Sequence, residues 1–324
     1  MVLNAERAWS EAERLEVAAA IPAADDGDTP LAAQLTLDTK RRISLQGRRF
    51  DKPAQPRIMA VANQKGGVGK TTTAVNLAAA LATGGLRVLL IDIDPQGNAS
   101  TALGLAHHSG TPSIYETLIG EASLSEVVQP CREVAGLYGV PSTIDLAGSE
   151  IELVGLAGRE TRLLTAIADY FQELAERGEP AFDYVLIDCA PSLGLLTVNA
   201  FAAANEVLLP IQCEYYALEG LGQLLKTVGL MQQHLNPTLE VSTIVLTMYD
   251  GRTNLARQVV DEVQTHFPNQ VLRTRIPRSV RIAEAPSYGQ SVITYDPSST
   301  GALAYQEAAR ELSARRVAQV QVAA

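Results

Sequence analysis

Five short apolar runs, each ending in polar or glycine-containing residues, set the rhythm of the chain. Ile58-Met59-Ala60-Val61-Ala62, Val88-Leu89-Leu90-Ile91, Tyr184-Val185-Leu186-Ile187, Glu206 to Pro210 and Val241 to Thr247 each read as a buried strand. Thr71 to Thr83, with Val75, Leu77, Ala78 and Leu81, has the spacing of a helix. So does Gly301 to Arg315, which closes the chain with Leu303, Ala304, Ala308 and Leu312 turned inward, and Ser113 to Leu118 reads as a helix start. Strands alternating with helices predict an α/β fold, a mostly parallel twisted sheet flanked by helices. Ahead of it, Glu6 to Ala20 offers a stripe of Ala8, Ala12, Leu15 and Ala19 that would bury little, and Pro22 to Pro30 reads as a flexible acidic link.

The join between the first strand and its helix carries the chemistry. Lys65-Gly66-Gly67-Val68-Gly69-Lys70-Thr71-Thr72 is almost free of side chains over its glycines, so backbone N–H groups can turn inward on a polyphosphate. The positive end of the following helix faces the same anion. In this P-loop reading Lys70 reaches the β- and γ-phosphates of ATP and the Thr71 hydroxyl ligates Mg²⁺. The plain P-loop pattern places a glycine where this chain has Gln64, so the form that fits is the deviant one with a second lysine, Lys65. The second strand ends in Asp92-Ile93-Asp94-Pro95-Gln96-Gly97-Asn98, at the carboxyl edge where ligands sit in open parallel sheets, and Asp94 is placed to orient an attacking water. Asp188, at the end of the third, holds the position of the acid that binds Mg²⁺ through water. Aspartates also end strands as plain turn residues; it is the loop beside them that favours chemistry.

Composition narrows the class. With 324 residues and 47% hydrophobic content, the chain can bury one sizeable core carrying an appendage. Cys131, Cys189 and Cys213 are odd in number and unclustered, which suits a reducing cytosol and excludes a CxxC metal site. No apolar run spans a bilayer, and the acidic start lacks the pattern of a signal peptide. The net charge is −10, yet Arg252, Arg257, Arg273, Arg275, Arg278 and Arg281 stand against only Asp261 and Glu262, a local net charge of +4. Such a segment suits phosphate contacts or is simply a solvated arginine face. Residues 1–56 hold eight basic and nine acidic side chains, so despite the clusters Lys40-Arg41-Arg42 and Arg48-Arg49 they are expected as a flexible leader rather than a basic tail.

Taken together, Asn63-Gln64-Lys65-Gly66-Gly67-Val68-Gly69-Lys70-Thr71-Thr72, Asp92 to Asn98 and Asp188-Cys189-Ala190-Pro191-Ser192 resemble the deviant Walker A ATPases typified by ParA, MinD and the nitrogenase iron protein. Ile211 to Gly220 and Ile276 to Pro286 are similar to segments of the ParA/Soj branch, and the resemblance runs from about residue 57 to about 314. It implies an ATPase domain over residues 57–324 that pairs two subunits around two ATP molecules, with Lys65 crossing to the partner's nucleotide. It also implies nonspecific double-stranded DNA binding, for which Arg252 and Arg281 match by motif. A ParB-type centromere-binding protein would stimulate hydrolysis, and the protein would work in the cytoplasm on the nucleoid. Arg278, beside Pro277, serves either the adenine pocket or local structure. Residues Thr111 to about Asp169 resemble the family's variable middle region, where partner contacts and core packing explain the apolar positions equally well. A MinD-like protein acting at the membrane is the rival from another class. The final stretch from Ala314 to Ala324 offers only valine and alanine as an apolar face, a poor lipid anchor. A ParA-like protein positioning some other cargo would use the same residues throughout, whereas an iron-protein reductase would need cluster cysteines that this chain lacks.

Overall fold

A computed structural model describes residues 10–21, 29–214 and 217–315. Helices α1 (Glu11–Ala20) and α2 (Pro30–Leu45) precede the first strand, β1 (Arg57–Val61), which runs through the glycine loop into α3 (Lys70–Thr83). Next come β2 (Val88–Asp92), α4 (Asn98–Ala102), α5 (Ile114–Ile119), α6 (Leu124–Val127), β3 (Gln129–Pro130), β4 (Leu137–Val140), α7 (Leu146–Leu153), α8 (Arg162–Glu176) and β5 (Tyr184–Asp188). The chain continues through α9 (Leu195–Ala203), β6 (Glu206–Gln212), α10 (Ala217–His234), β7 (Glu240–Thr247), α11 (Asn254–His266) and α12 (Val280–Glu284). A single 3-10 turn, Ala285–Tyr288, leads to α13 (Val292–Tyr295) and the closing α14 (Thr300–Ala314).

The strands form one seven-stranded sheet in the order β3-β4-β2-β5-β1-β6-β7. All neighbours are parallel except the short β3, which runs antiparallel to β4 at the edge. The α/β architecture expected from the alternating runs is therefore the one observed. Alternation along each strand divides the core between the two faces of the sheet. Met59, Val61, Val88, Leu90, Tyr184 and Leu186 pack with α3 and α14, whereas Ala60, Leu89, Ile91, Val185 and Ile187 pack on the opposite face with α8 and α9. Leu303, Ala304, Ala308 and Leu312 of α14 are all buried, as their spacing predicts.

Strand register, more than strand count, positions the site. Val61 stands opposite Asp188, and Asp188 stands opposite Asp92, so three strand ends finish level. The loop after β1 and the acids of β2 and β5 thus share one edge of the sheet, the edge where ligands collect in such folds.

The segment ahead of β1, expected as a flexible leader, contains α1 and α2. Thr29 caps α2 by accepting the Ala32 N–H, and Pro30 occupies its first turn. Arg41 closes a two-point contact on Glu307 of α14 at 3.1 and 2.7 Å, and the Thr300 hydroxyl donates to Asp38 at 2.8 Å. Further along, the Phe50 N–H donates to the Gly84 carbonyl at 2.9 Å, and its ring covers the end of α3. The first part of the helix expected from Glu6, most of the Pro22 to Pro30 link, Tyr215, Tyr216 and the tail beyond Arg315 lie outside the described residues.

Contact between Phe50 and Gly84 generates a direct test, because a Cβ at Gly84 would stand 2.2 Å from the Phe50 ring. Gly84→Ala should destabilise the protein by about 1–3 kcal/mol, the usual cost of overpacking, read by thermal denaturation. Adding Phe50→Ala should recover part of that loss; a Gly84→Ala protein that melts like the parent would mean that the extension does not rest on α3.

Candidate nucleotide-binding site

Side chains brought from distant parts of the sheet hold the glycine loop at both ends. At its start, the buried Asn63 amide donates to the Pro210 carbonyl at 2.8 Å while its own oxygen accepts the Lys65 N–H at 3.0 Å. At its far end, the Thr247 hydroxyl of β7 donates to the Val68 carbonyl at 2.8 Å. Between those anchors Gly66 and Gly67 are exposed, and apart from their immediate chain neighbours nothing lies within 4 Å of where their β-carbons would be. That is an open cradle for a ligand's phosphates. Gly67 and Gly69 have φ of +74° and +86°, a conformation that any other residue would adopt under strain.

The two lysines of the loop occupy opposite environments. Lys70 is buried to 7% exposure, and its ammonium spans the loop to donate to the Lys65 carbonyl at 3.1 Å. Burial lowers its pKa, while the charges of Asp188 and Asp94 pull it back. Lys65 points outward with 37% of its side chain exposed, and an acid of β6's following turn, Glu214, lies 3.9 Å away. Glu214 also faces the Arg278 guanidinium at 3.5 Å. Pro277 is bridged to Tyr249 beyond β7, and the Arg278 N–H donates to the Tyr249 carbonyl at 3.3 Å, which sets both beside the loop edge.

Three carboxylates meet at the level strand ends, and each has a different surrounding. Asp92 accepts the Asp94 N–H at 3.1 Å through one oxygen, and through the other the Ser100 N–H and hydroxyl at 2.8 and 2.7 Å. Burial pushes its pKa up to about 6 against those hydrogen bonds. Asp92 therefore anchors the turn that carries Asp94. Asp94 is largely buried and accepts the Gln96 N–H at 3.0 Å through one oxygen. Both oxygens of Asp188 are buried without a partner in hydrogen-bond geometry. Burial and the Asp92 carboxylate hold its pKa well above the ordinary carboxylate range, although the nearby Thr71 hydroxyl and Lys70 ammonium draw it down. A buried carboxylate without donors, beside a hydroxyl and an open phosphate cradle, fits the outer shell of a divalent cation. Among the described residues no group of three or more His, Cys, Asp and Glu side chains is arranged to hold a metal. Phosphate and water would thus supply most ligands of such a cation.

Thr71 and Thr72 sit half-buried in the first turn of α3, and the Thr72 carbonyl accepts the Asn76 amide at 2.7 Å. Asn76 in turn accepts the Val292 N–H at 2.7 Å, linking this helix to α13. Cys189 and Cys213 are buried and free, and burial raises both thiols, Cys213 to about 11, so they pack rather than react. Each of the arginines expected at the DNA surface faces an acid. Arg252 is 90% exposed and forks onto Asp250, and Arg281 faces Glu284 and Asp296.

Sequence reading assigned no role to Asn63, Asp92, Ser100, Glu214 or Thr247. Asn63 and Asp92 lay within recognisable motifs, but only the fold shows what they hold. Thr247 is 179 residues from Val68 along the chain, a contact with no local signal. Met248, directly after it, has φ of +51°, and among the described residues it is the one non-glycine in the left-handed region. That turn lets Thr247 face the loop while Tyr249 joins the Pro277 segment.

Ser100→Ala probes the anchor, since Ser100 gives Asp92 its hydroxyl and also accepts the Ser142 N–H at 2.9 Å. Leaving those buried groups short of a partner should cost about 1–3 kcal/mol, measured by denaturant unfolding. ATP turnover should fall more than ATP affinity, because Asp94 loses its support while the cradle does not; an equal fall in both would contradict that division.

Comparisons with known proteins place this site among ATPases. A family model described as an AAA domain matches residues 56–241. The chain is 50% identical over 258 residues to the sporulation initiation inhibitor protein Soj of Bacillus subtilis, covering 80% of this chain and 98% of Soj. It is likewise 50% identical over 259 residues to the chromosome partitioning protein ParA of Myxococcus xanthus, covering 80% of this chain and 88% of that protein. Among solved structures, one from Mycobacterium smegmatis named cobyrinic acid a,c-diamide synthase, with a bound ATP analogue and magnesium, is 40% identical with a TM-score of 0.66 over 79% of this chain and 93% of its own. The septum site-determining protein MinD of Pyrococcus horikoshii, complexed with Mg-ADP, is 26% identical with a TM-score of 0.61 over 80% of this chain and 96% of its own.

Proposed function

The chain belongs to the ParA/Soj family of P-loop partition ATPases, and from that premise we propose that it is a DNA-partition switch run by ATP and Mg²⁺. Residues 57–324 make up the ATPase domain and residues 1–56 an appendage, in keeping with a match to Soj that spans 258 of the 324 residues. The observation that carries the reading is the division between the two loop lysines, Lys70 buried at 7% exposure and Lys65 with 37% of its side chain exposed. One cation serves the nucleotide in its own cradle; the other, held among the described residues only by Glu214 at 3.9 Å, reaches a nucleotide held by a second subunit.

In this reading Gly66 to Thr72 bind the triphosphate through backbone N–H groups, and Lys70 offsets charge on the β- and γ-phosphates. Thr71, and Asp188 through water, would hold Mg²⁺, which would neutralise charge on the phosphates. Asp94 orients the attacking water; Lys65 crosses to the partner's phosphates and stabilises charge there, as an arginine finger does elsewhere. Pro277 and Arg278 border the nucleotide's far side. ATP favours the homodimer because only the paired form gives the phosphates both lysines, and a ligand shifts an equilibrium only through such differential binding. The dimer then holds nonspecific double-stranded DNA through Arg252 and Arg281, contacts that position without reading sequence. A ParB-type partner speeds hydrolysis and releases the dimer, so the protein works in the cytoplasm on the nucleoid. Among the described residues no helix is long and apolar enough to cross a membrane.

Titrating nonspecific duplex DNA with the Asp94→Ala protein, in ATP and in ADP and at two salt concentrations, tests the switch. Tight, salt-sensitive binding in ATP alone is expected; no binding in either state would move the function to another cargo or to a membrane surface, with liposome binding as the next measurement.

Lys65→Ala isolates the crossing lysine. Its ATP affinity as a monomer should stay within a few-fold of the parent while ATP-dependent dimerisation, followed by light scattering, is lost. Loss of monomer binding instead would place Lys65 on its own nucleotide.

A further inference from the structure

Arg281 and Arg252 are engaged in unlike ways, and the difference bears on how tightly DNA can be held. Arg252 meets Asp250 only two residues away, a local fork on a side chain that is otherwise 90% exposed. Arg281, with 55% of its side chain exposed, lies between elements: Glu284 of its own helix accepts from one terminal nitrogen at 3.1 Å, and Asp296, between α13 and α14, forms an ion pair with Nε at 3.3 Å. The two acids are themselves placed by neighbours. The Tyr295 hydroxyl reaches Glu284 at 3.5 Å, with Tyr295 stacked on the exposed Tyr288 at 5.0 Å, and the Ser298 hydroxyl donates to Asp296 at 3.0 Å. Ile282 packs against Gly301 at the start of α14, which fixes α12 relative to the Asp296 turn.

A carboxylate offers a guanidinium the same anionic oxygens that a phosphodiester offers, so acids that face two nitrogens of Arg281 and offset its charge compete with phosphate for it. We propose that Glu284 and Asp296 are built-in competitors for DNA phosphate at Arg281, which keep the affinity of a single protomer low. This rests on the DNA-binding reading above and deepens it. Two weak sites joined in one dimer bind with an affinity that multiplies through effective concentration, whereas a strong single site would hold DNA without needing ATP. By lowering the affinity of each site, the competing acids keep a single protomer in the ADP state off DNA at concentrations where two joined sites still hold it.

The test compares Glu284→Gln, Asp296→Asn and the double variant, each combined with Asp94→Ala to block hydrolysis, on nonspecific duplex DNA in ATP and in ADP. Each single variant should bind about two- to fivefold more tightly in ADP, and in ATP, where two such sites are joined, by up to about the square of that factor. ATP-dependent dimerisation should be unchanged. The same acid substitutions made in an Arg281→Gln background should give no gain. A gain that persists there would reveal a general charge effect and overturn the proposal, as would unchanged or weaker binding in the single variants, which would make the acids props for Arg281. If the parent Asp94→Ala protein binds no DNA in either nucleotide, the DNA-binding reading itself fails and takes this proposal with it; if the parent binds and the variants match it, only the competition falls.

Discussion

Three parallel strands that end in step are the constraint on which the nucleotide end of this molecule depends. Val61 lies beside Asp188 and Asp188 beside Asp92, so the phosphate loop and two acids leave the sheet at one level. A slip of one residue in any of these strands would turn its last side chain to the opposite face and exchange the apolar sets on the two sides of the sheet. The register is held by burial on both faces, where Met59 and Val61 meet α3 and α14 while Ala60 packs toward α8 and α9. Placement of the acids is thus a by-product of core packing, which is why the site tolerates so much unfavourable charge. Asp92, Asp94 and Asp188 share a space from which water is largely excluded, and burial opposes ionisation of both Asp92 and Asp188.

That crowding divides the labour among the acids. Asp92 accepts from three donors on the turn to Ser100, Asp94 accepts one backbone N–H, and Asp188 has only the nearby Thr71 hydroxyl, outside hydrogen-bond geometry. The least satisfied group is the one beside Thr71 and Lys70, where a cation and a triphosphate would bring the missing positive charge. Lys70 is the matching half of the same arrangement, a buried ammonium whose burial is opposed by the very carboxylates it faces. Ionisable groups of both signs held close in a buried space form a site that gains from a charged ligand.

Much of this was legible in the chain alone. The strands that carry the site are continuous apolar runs, because a parallel sheet covered on both faces needs no alternation, and glycines with two lysines between strand and helix mark the loop. What stayed hidden depends on long-range contacts. Thr247 reaching Val68, Asn63 reaching Pro210 and Glu214 between Lys65 and Arg278 are pairings across the sheet that no local pattern encodes. The extension hid for another reason. Its alanine-rich first helix and balanced charge give little amphipathic signal, yet α2 reaches α14 through polar groups, Arg41 to Glu307 and Thr300 to Asp38, which hydrophobic periodicity does not register.

The arginine segment shows how a local charge count can mislead in the opposite direction. Six arginines against two acids in sequence suggest an uncovered basic face, but folding returns Asp250, Glu284, Asp296 and Glu214 to Arg252, Arg281 and Arg278. All of those acids lie outside the stretch from Arg252 to Arg281, and the molecule as a whole carries −10. A surface of this kind attracts phosphate weakly at long range, because each arginine's charge is offset by an acid beside it. Association with DNA on such a face is governed by how many sites engage at once more than by the strength of any one of them. In the proposed dimer, coupling between subunits would then decide whether DNA is held, and it would be set at the two lysines of the phosphate loop, one buried and one largely exposed at its side chain.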